Sequence, residues 1–177
     1  MIQIRDKRAS PRELYQQAAA ALQVARAHDA KLIINDRVDI ALAVKADGVH
    51  LGQTDIPVAA ARQLLGQAAI IGFSTHNLVQ ARLAMTLPID YLAFGPIFET
   101  ATKQNPDPIA GLDALRDVRA SIGSLPMVAI GGITLENGAA VLMAGADALA
   151  TISELVADPA RIAENMRQML ALTSSST

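Results

Sequence analysis

The sequence predicts an α/β protein built on a parallel sheet, and three observations carry that expectation. Seven short apolar runs recur along the 177 residues, stretches of helical spacing separate them, and no low-complexity linker divides the series. Short strands alternating with helices form parallel sheets covered on both faces. An internal echo points the same way. Asp47, Asp90 and Asp147 each stand just before a strand run, in Ala46-Asp47-Gly48-Val49, Ile89-Asp90-Tyr91-Leu92 and Ala146-Asp147-Ala148-Leu149. The architecture expected is a TIM (β/α)8-type barrel with seven βα units visible in this chain.

The elements follow in order. Ile2 to Lys7 opens as a strand, and Ser10-Pro11-Arg12-Glu13 reads as a capping box with proline at the first helical position. Leu14, Ala18, Ala21, Leu22 and Ala25 then recur at helical spacing to about Ala27. Lys31 to Asn35 is a buried strand, and a short helix runs from Val38 to Val44. Gly48 to Leu51 is the next strand, and Pro57 opens a helix through Leu65. Ile70 to Phe73, Tyr91 to Phe94, Met127 to Ile130 and Ala148 to Ile152 complete the strands. Helices are expected at 77–86, 111–121, 134–143 and 159–171. Residues 1–172 should form a single βα-barrel domain, with 173–177 a disordered tail.

A closed barrel of this type has eight strands and typically about 250 residues, so the first βα unit is expected to be missing or to lie upstream of Met1. An open parallel edge would invite pairing with another chain, which leaves a homo-oligomer open.

Composition narrows the function classes. Half the residues (51%) are hydrophobic, enough for a sizeable core. A net charge of −2 gives no support for nucleic acid or an acidic membrane as partner. The absence of cysteine excludes disulfides and thiolate metal sites. No apolar stretch reaches transmembrane length and no secretory apolar core is seen, so the cytoplasm is expected.

In a parallel βα fold the carboxyl ends of the strands share one face, and here they carry polar groups. Gln3, Arg5 and Lys7 alternate along the first strand and would share a face opposite Ile2 and Ile4. A guanidinium fork beside an ammonium suits pyrophosphate; the bland alternative is a solvated edge strand. Asp36 follows one strand and Asp55 the next. Two carboxylates from adjacent strands suit Mg²⁺, which fills its remaining positions with water and phosphate oxygens. The bland alternative for Asp36, with Asp39 three residues on, is helix capping. Gly131-Gly132 ends a strand ahead of a helix capped by Thr134, and Ser153 ends the strand after it. Together they suggest a phosphate cup, although a tight turn would need the same small residues. Thr100, Thr102 and Lys103 lie in a long loop running to Gly111, a binding element or a plain surface loop. His28 reads as solvent-facing. His50 faces inward without a second histidine at ligand spacing, and His76 stands at the rim. Zinc is not expected, and the six methionines read as core filler.

Taken together these segments resemble thiamine-phosphate synthases, which are (β/α)8 transferases of thiamine biosynthesis. The matching stretches are Gln3-Ile4-Arg5-Asp6-Lys7, Asn35-Asp36-Arg37-Val38-Asp39, Ala46 to Asp55, Gly72-Phe73-Ser74-Thr75-His76, Gly95-Pro96-Ile97-Phe98 with Thr102-Lys103, Ala129-Ile130-Gly131-Gly132-Ile133, and Ile152-Ser153. The family joins 4-amino-2-methyl-5-pyrimidinylmethyl diphosphate to 4-methyl-5-(2-phosphonooxyethyl)thiazole and releases pyrophosphate. By resemblance, Gln3, Arg5, Lys7, Asn35, Ser74 and Lys103 would hold the pyrimidine diphosphate, with Asp36 and Asp55 on Mg²⁺. Thr100, Thr102, Gly132, Ile152 and Ser153 would hold the thiazole phosphate, and Arg5, Lys7 and Lys103 would serve catalysis. Thr151 departs from the family's usual aliphatic residue, and the family's first strand and helix have no counterpart. Two alternatives stand beside this reading. One is a thiazole tautomerase of the same fold, with His76 as its acid–base group; the other is a non-catalytic, degenerate barrel.

Overall fold

The computed structural model describes residues 1–100 and 107–174. Contacts group the chain into two compact units, Met1–Ser74 with Leu87–Asp90, and Thr75–Thr86 with Tyr91–Thr177.

In the first unit, strand β1 (Ile2–Ile4) leads to helix α1 (Pro11–Ala27). Strand β2 (Leu32–Asn35), helix α2 (Val38–Val44), strand β3 (Gly48–Leu51), helix α3 (Val58–Leu65) and strand β4 (Ile70–Thr75) follow. The strands pair in parallel in chain order, with Ile2 opposite Leu32, Ile33 opposite Gly48 and Gly48 opposite Ile70. The capping box forms as expected: the Ser10 hydroxyl accepts from the Glu13 N–H, and the Glu13 carboxylate accepts from the Ser10 N–H. Leu14, Ala18, Leu22 and Ala25 then bury one stripe of α1 against Leu32, Ile34, Val49, Leu51 and Ile71. Gly48 must be glycine, because a Cβ there would strike the Ile70 carbonyl on the neighbouring strand.

The second unit contains helix α4 (Leu78–Ala84), strand β5 (Tyr91–Phe94), helix α5 (Gly111–Ile122), strand β6 (Met127–Ile130), helix α6 (Gly138–Met143) and strand β7 (Ala148–Ala150). A short helix α7 (Ser153–Val156), a 3-10 turn (Pro159–Arg161) and helix α8 (Ile162–Ser174) close it. Strands β5, β6 and β7 again pair in parallel in chain order. Phe94, Leu92, Met127, Ala129, Leu115 and Val118 are buried.

Three expectations need correction. The helix expected over 134–143 begins only at Gly138, because Thr134 and Asn137 cap each other in the turn before it. The strand expected to reach Ile152 ends at Ala150, and α7 follows. Thr173 and Ser174, assigned to a tail, belong to α8, while 175–177 lie outside the described residues.

The three aspartates before the strands have one structural job. Asp47 donates its N–H to the Leu32 carbonyl at 3.0 Å, and its carboxylate accepts the Leu32 N–H and the Lys31 ammonium, each at 2.9 Å. Asp90 does the same with Ile71, at 2.8 and 2.7 Å, and accepts Arg62 at 2.7 Å. Asp147 repeats it with Met127, at 2.9 and 2.7 Å, and with Arg119 at 2.7 Å. Each clamp satisfies the open N–H at the start of a strand and neutralises the carboxylate with a neighbouring cation. Arg62 is the most enclosed of the cations. Its side chain, 8% exposed, also donates to the carbonyls of Pro88, Gly66, Gln67 and Ala69. Removing its carboxylate leaves a nearly buried cation with neutral acceptors only. Asp90→Ala should therefore cost about 3 kcal/mol in urea unfolding, whereas Asp113→Ala, which removes an exposed ion pair to Arg116, should cost well under about 1 kcal/mol.

Candidate active site

Within the first unit, the polar residues picked out by sequence gather at the carboxyl ends of consecutive strands. β1 ends at Ile4, so Arg5 and Lys7 lie just beyond it rather than on its face; Gln3, Arg5 and Lys7 are all exposed. Lys7 reaches the Asp36 carboxylate at 3.0 Å. Asp36 follows β2, and its N–H donates to the His50 carbonyl at 2.8 Å, extending the β2–β3 ladder by one rung. Its backbone is left-handed, at φ +60°. That conformation costs a non-glycine residue on the order of 1 kcal/mol, less for aspartate than for most. The capping alternative fails, because α2 starts from Arg37 without a side-chain cap, and Asp39 pairs with Arg37 at 2.5 Å. The Asp36 carboxylate is left for Lys7 and for Asp55.

Asp55 is held by the turn after β3, where its carboxylate accepts the Gly52 N–H at 2.7 Å. Burial raises its pKa above the ordinary carboxylate value, and the adjacent Asp36 carboxylate raises it further, against the lowering effects of Gly52 and Lys7. Two carboxylates thus face each other from adjacent strand ends with one exposed ammonium beside them. This donor set fits Mg²⁺, which needs only one or two carboxylates when water and phosphate oxygens supply the rest. No group of three or more potential metal-binding side chains occurs among the described residues.

Ser74, near the end of β4, is held from two sides. Its hydroxyl lies 2.8 Å from His50 Nε2, and its carbonyl accepts the Gln53 amide at 2.6 Å. His50 is 7% exposed, and burial pushes its imidazole down to about 4, against a smaller opposing effect of the Asp36 charge. Asn35 ends β2 opposite His50. An apolar groove of about 340 Å³ also opens beside Asp36, lined by Val38, Leu42, Ile56 and Leu64 with Asp39. Its aliphatic walls do not suit a diphosphate.

Within the second unit, β6 ends in Gly131-Gly132, both at positive φ. A Cβ on Gly132 would strike the Glu99 carbonyl and Phe98, so the segment after β5 lies directly on this turn. Ile97 and Phe98 donate their N–H groups to Ile130 and Gly131 at 2.9 and 3.1 Å. β7 leads to Ile152, which is exposed, and to Ser153 at the start of α7. Thr100 is partly buried after Glu99. Thr102 and Lys103 lie outside the described residues.

A profile of the thiamine monophosphate synthase family matches residues 1–155. The thiamine-phosphate synthase of Chloroflexus aurantiacus is 46% identical over 175 residues, covering 98% of this chain and 80% of that one. The chain belongs to the thiamine-phosphate synthase family. The solved thiamine phosphate pyrophosphorylase of Pyrococcus furiosus superposes with a TM-score of 0.88 at 35% identity, over 99% of this chain and 83% of that one. A 3-hexulose-6-phosphate synthase superposes at 0.70 with 17% identity, over 97% of this chain and 86% of that one; this likeness concerns the fold alone. The fold is accordingly of the TIM-barrel class, and the chain is a transferase acting on small molecules. No helix among the described residues is long and apolar enough to cross a membrane.

Thr151, the residue that departs from the family pattern, gives its hydroxyl a partner: it donates to the Ile133 carbonyl at 3.0 Å. Sequence reasoning missed the link from His50 to Ser74 and the grip of Gln53. The strand alternation that turned His50 inward was the one available signal.

His50 sets a pH dependence. In the unfolded chain the ring takes a proton near its ordinary 6.5, and in the folded chain only near 4. Stability is therefore whole above pH 6.5 and falls as pH drops toward 4, because the unfolded state binds a proton that the folded state refuses. Between pH 7 and 4.5 the wild type should lose about 2–3 kcal/mol more than His50→Gln, read by urea unfolding. Equal losses in the two proteins would remove His50 as the cause.

Proposed function

We propose that the chain is a Mg²⁺-dependent thiamine-phosphate synthase. It would couple 4-amino-2-methyl-5-pyrimidinylmethyl diphosphate to 4-methyl-5-(2-phosphonooxyethyl)thiazole, giving thiamine phosphate and pyrophosphate. The observation that supports this most is the Lys7–Asp36–Asp55 arrangement, with charges of both signs on the loops after consecutive strands. In this reading Gln3, Arg5, Lys7, Asn35, Ser74 and Lys103 hold the pyrimidine diphosphate, and Asp36 and Asp55 hold the metal. Gly132, Thr100, Thr102, Ile152 and Ser153 hold the thiazole phosphate. When bound, Mg²⁺ supplies positive charge to the diphosphate oxygens.

The reaction breaks the C–O bond between the pyrimidinylmethyl carbon and the diphosphate, and the electron pair leaves with pyrophosphate. The carbocation left behind is stabilised by the ring's amino group, and the thiazole nitrogen closes the new C–N bond with its lone pair. No proton need move, so no general base is required. That agrees with a site whose one buried histidine, His50, stays neutral near pH 7. The chain's contribution is charge placed where the leaving group gains it, from Arg5, Lys7 and Lys103, and restraint of the nucleophile through its distant phosphate.

The test is formation of thiamine phosphate from the two substrates by the purified chain. Chelation of Mg²⁺ should abolish it. Asp36→Ala and Lys103→Ala should each lower turnover a hundredfold or more, scaled from about 3 kcal/mol for a lost electrostatic group. Wild-type turnover in both variants would end the mechanism. Metal-independent isomerisation of a thiazole phosphate, with no coupling, would favour a tautomerase instead.

A further inference from the structure

His76 has no part in the synthase reading above, yet its ring is only 16% exposed and both its nitrogens face protein groups. Nδ1 lies 2.6 Å from the Gly95 carbonyl oxygen. A carbonyl only accepts, so Nδ1 carries a hydrogen. Nε2 faces the Asp107 carboxylate at 3.4 Å, and because a carboxylate also only accepts, the ring grips it as the imidazolium, with a hydrogen on each nitrogen. These partners sit at the two feet of one loop. Gly95 directly follows β5, and Asp107 lies on the return path toward α5. The platform for the ring is itself fixed. The His76 N–H donates to the Gln80 side chain at 2.8 Å, and the buried Thr75 hydroxyl donates to the Ala93 carbonyl at 3.1 Å. The Gly95 N–H returns to the Thr75 carbonyl at 3.2 Å.

The outgoing arm of the loop is pinned to the end of β6 by backbone bonds, from Ile97 to Ile130 and from Phe98 to Gly131. The return arm has a backbone tie across the neck, from the Ala110 N–H to the Pro96 carbonyl at 2.8 Å. Beside it stands the Asp107–His76 contact. We propose that His76 is a positioning residue. By gripping the Gly95 carbonyl and the Asp107 carboxylate together, it holds residues 107–110 against 95–98 and keeps both in register with the Gly131-Gly132 turn, and thereby sets affinity for the phosphate-bearing thiazole. This rests on the reading that the turn holds that phosphate. It assigns His76 a task other than proton transfer, since neither nitrogen is directed at open space.

The experiment measures thiazole phosphate binding by calorimetry, without turnover, in the wild type, His76→Ala, Asp107→Ala and the double variant. Asp107→Ala should weaken binding about tenfold and His76→Ala at least as much, and the double variant should match His76→Ala, because that change already removes the Asp107 contact. In steady state, KM for the thiazole phosphate should rise by the same factor while KM for the pyrimidine diphosphate stays within twofold. His76→Asn, whose amide can replace Nδ1 but falls short of Asp107, should match Asp107→Ala. Binding unchanged in the single variants, losses that multiply in the double variant, or an equal rise in both KM values would each overturn the proposal. A wild type that binds the thiazole phosphate but makes no product would sink the synthase reading alone. In that case the binding series still decides the role of His76.

Discussion

Register is the constraint on which the polar strand ends depend. Side chains alternate along a strand, so a slip of one residue carries every inward group to the opposite face. Asp47, Asp90 and Asp147 each resist such a slip by bonding one strand residue through both its N–H and its carbonyl, with a cation on the same carboxylate. Gly48 adds a steric condition, since only a residue without a side chain lets β3 approach Ile70. With β2 and β3 held in this way, Asn35 falls opposite His50, and Asp36 is delivered at the next position with its N–H on the His50 carbonyl. The acidic pair is thus placed by contacts at the other ends of the strands.

The opposite ends of the strands handle charge in contrasting ways. Arg62 is almost enclosed and meets a carboxylate and several carbonyls, so its charge is fully answered and contributes to stability. Asp36 and Asp55 face each other, and Lys7, the cation paired with Asp36, is largely in water. An exposed ammonium offsets little of the repulsion between two close carboxylates. Such an arrangement costs stability, and in the proposed function a divalent cation carrying phosphate oxygens would answer it.

Much of this was legible in the residues, and the limits have physical causes. The capping box at Ser10, the short apolar runs of β2, β3 and β5, and the apolar spacing of α1 are local signals, read over a few residues. The helix after Gly132 was placed four residues early, because Thr134 resembles an N-cap and its reciprocal bond with Asn137 is visible only in space. Lys7 was assigned to a strand that ends at Ile4, since alternation alone does not show where pairing stops. The repeated aspartates were noticed as a pattern, but their purpose needed Arg62 and Arg119, each 28 positions away. The grip of His50 and Gln53 on Ser74 spans similar distances along the chain, beyond any periodicity argument.

Thr151 shows how a departure from a family pattern is absorbed. An aliphatic side chain at this position needs only apolar surroundings, whereas a threonine brings a hydroxyl that is costly to enclose without a partner. Here the partner is the Ile133 carbonyl, directly after the glycine turn of β6, at 3.0 Å. The substitution therefore adds a side-chain tie between the end of β7 and the segment that follows Gly132. The same turn also carries the backbone bonds from Ile97 and Phe98, so it is braced from both neighbouring strand ends. A backbone turn that is to present N–H groups to a phosphate gains most from being rigid before the ligand arrives. A threonine with its hydroxyl satisfied contributes to that rigidity, so the departure is compatible with the site.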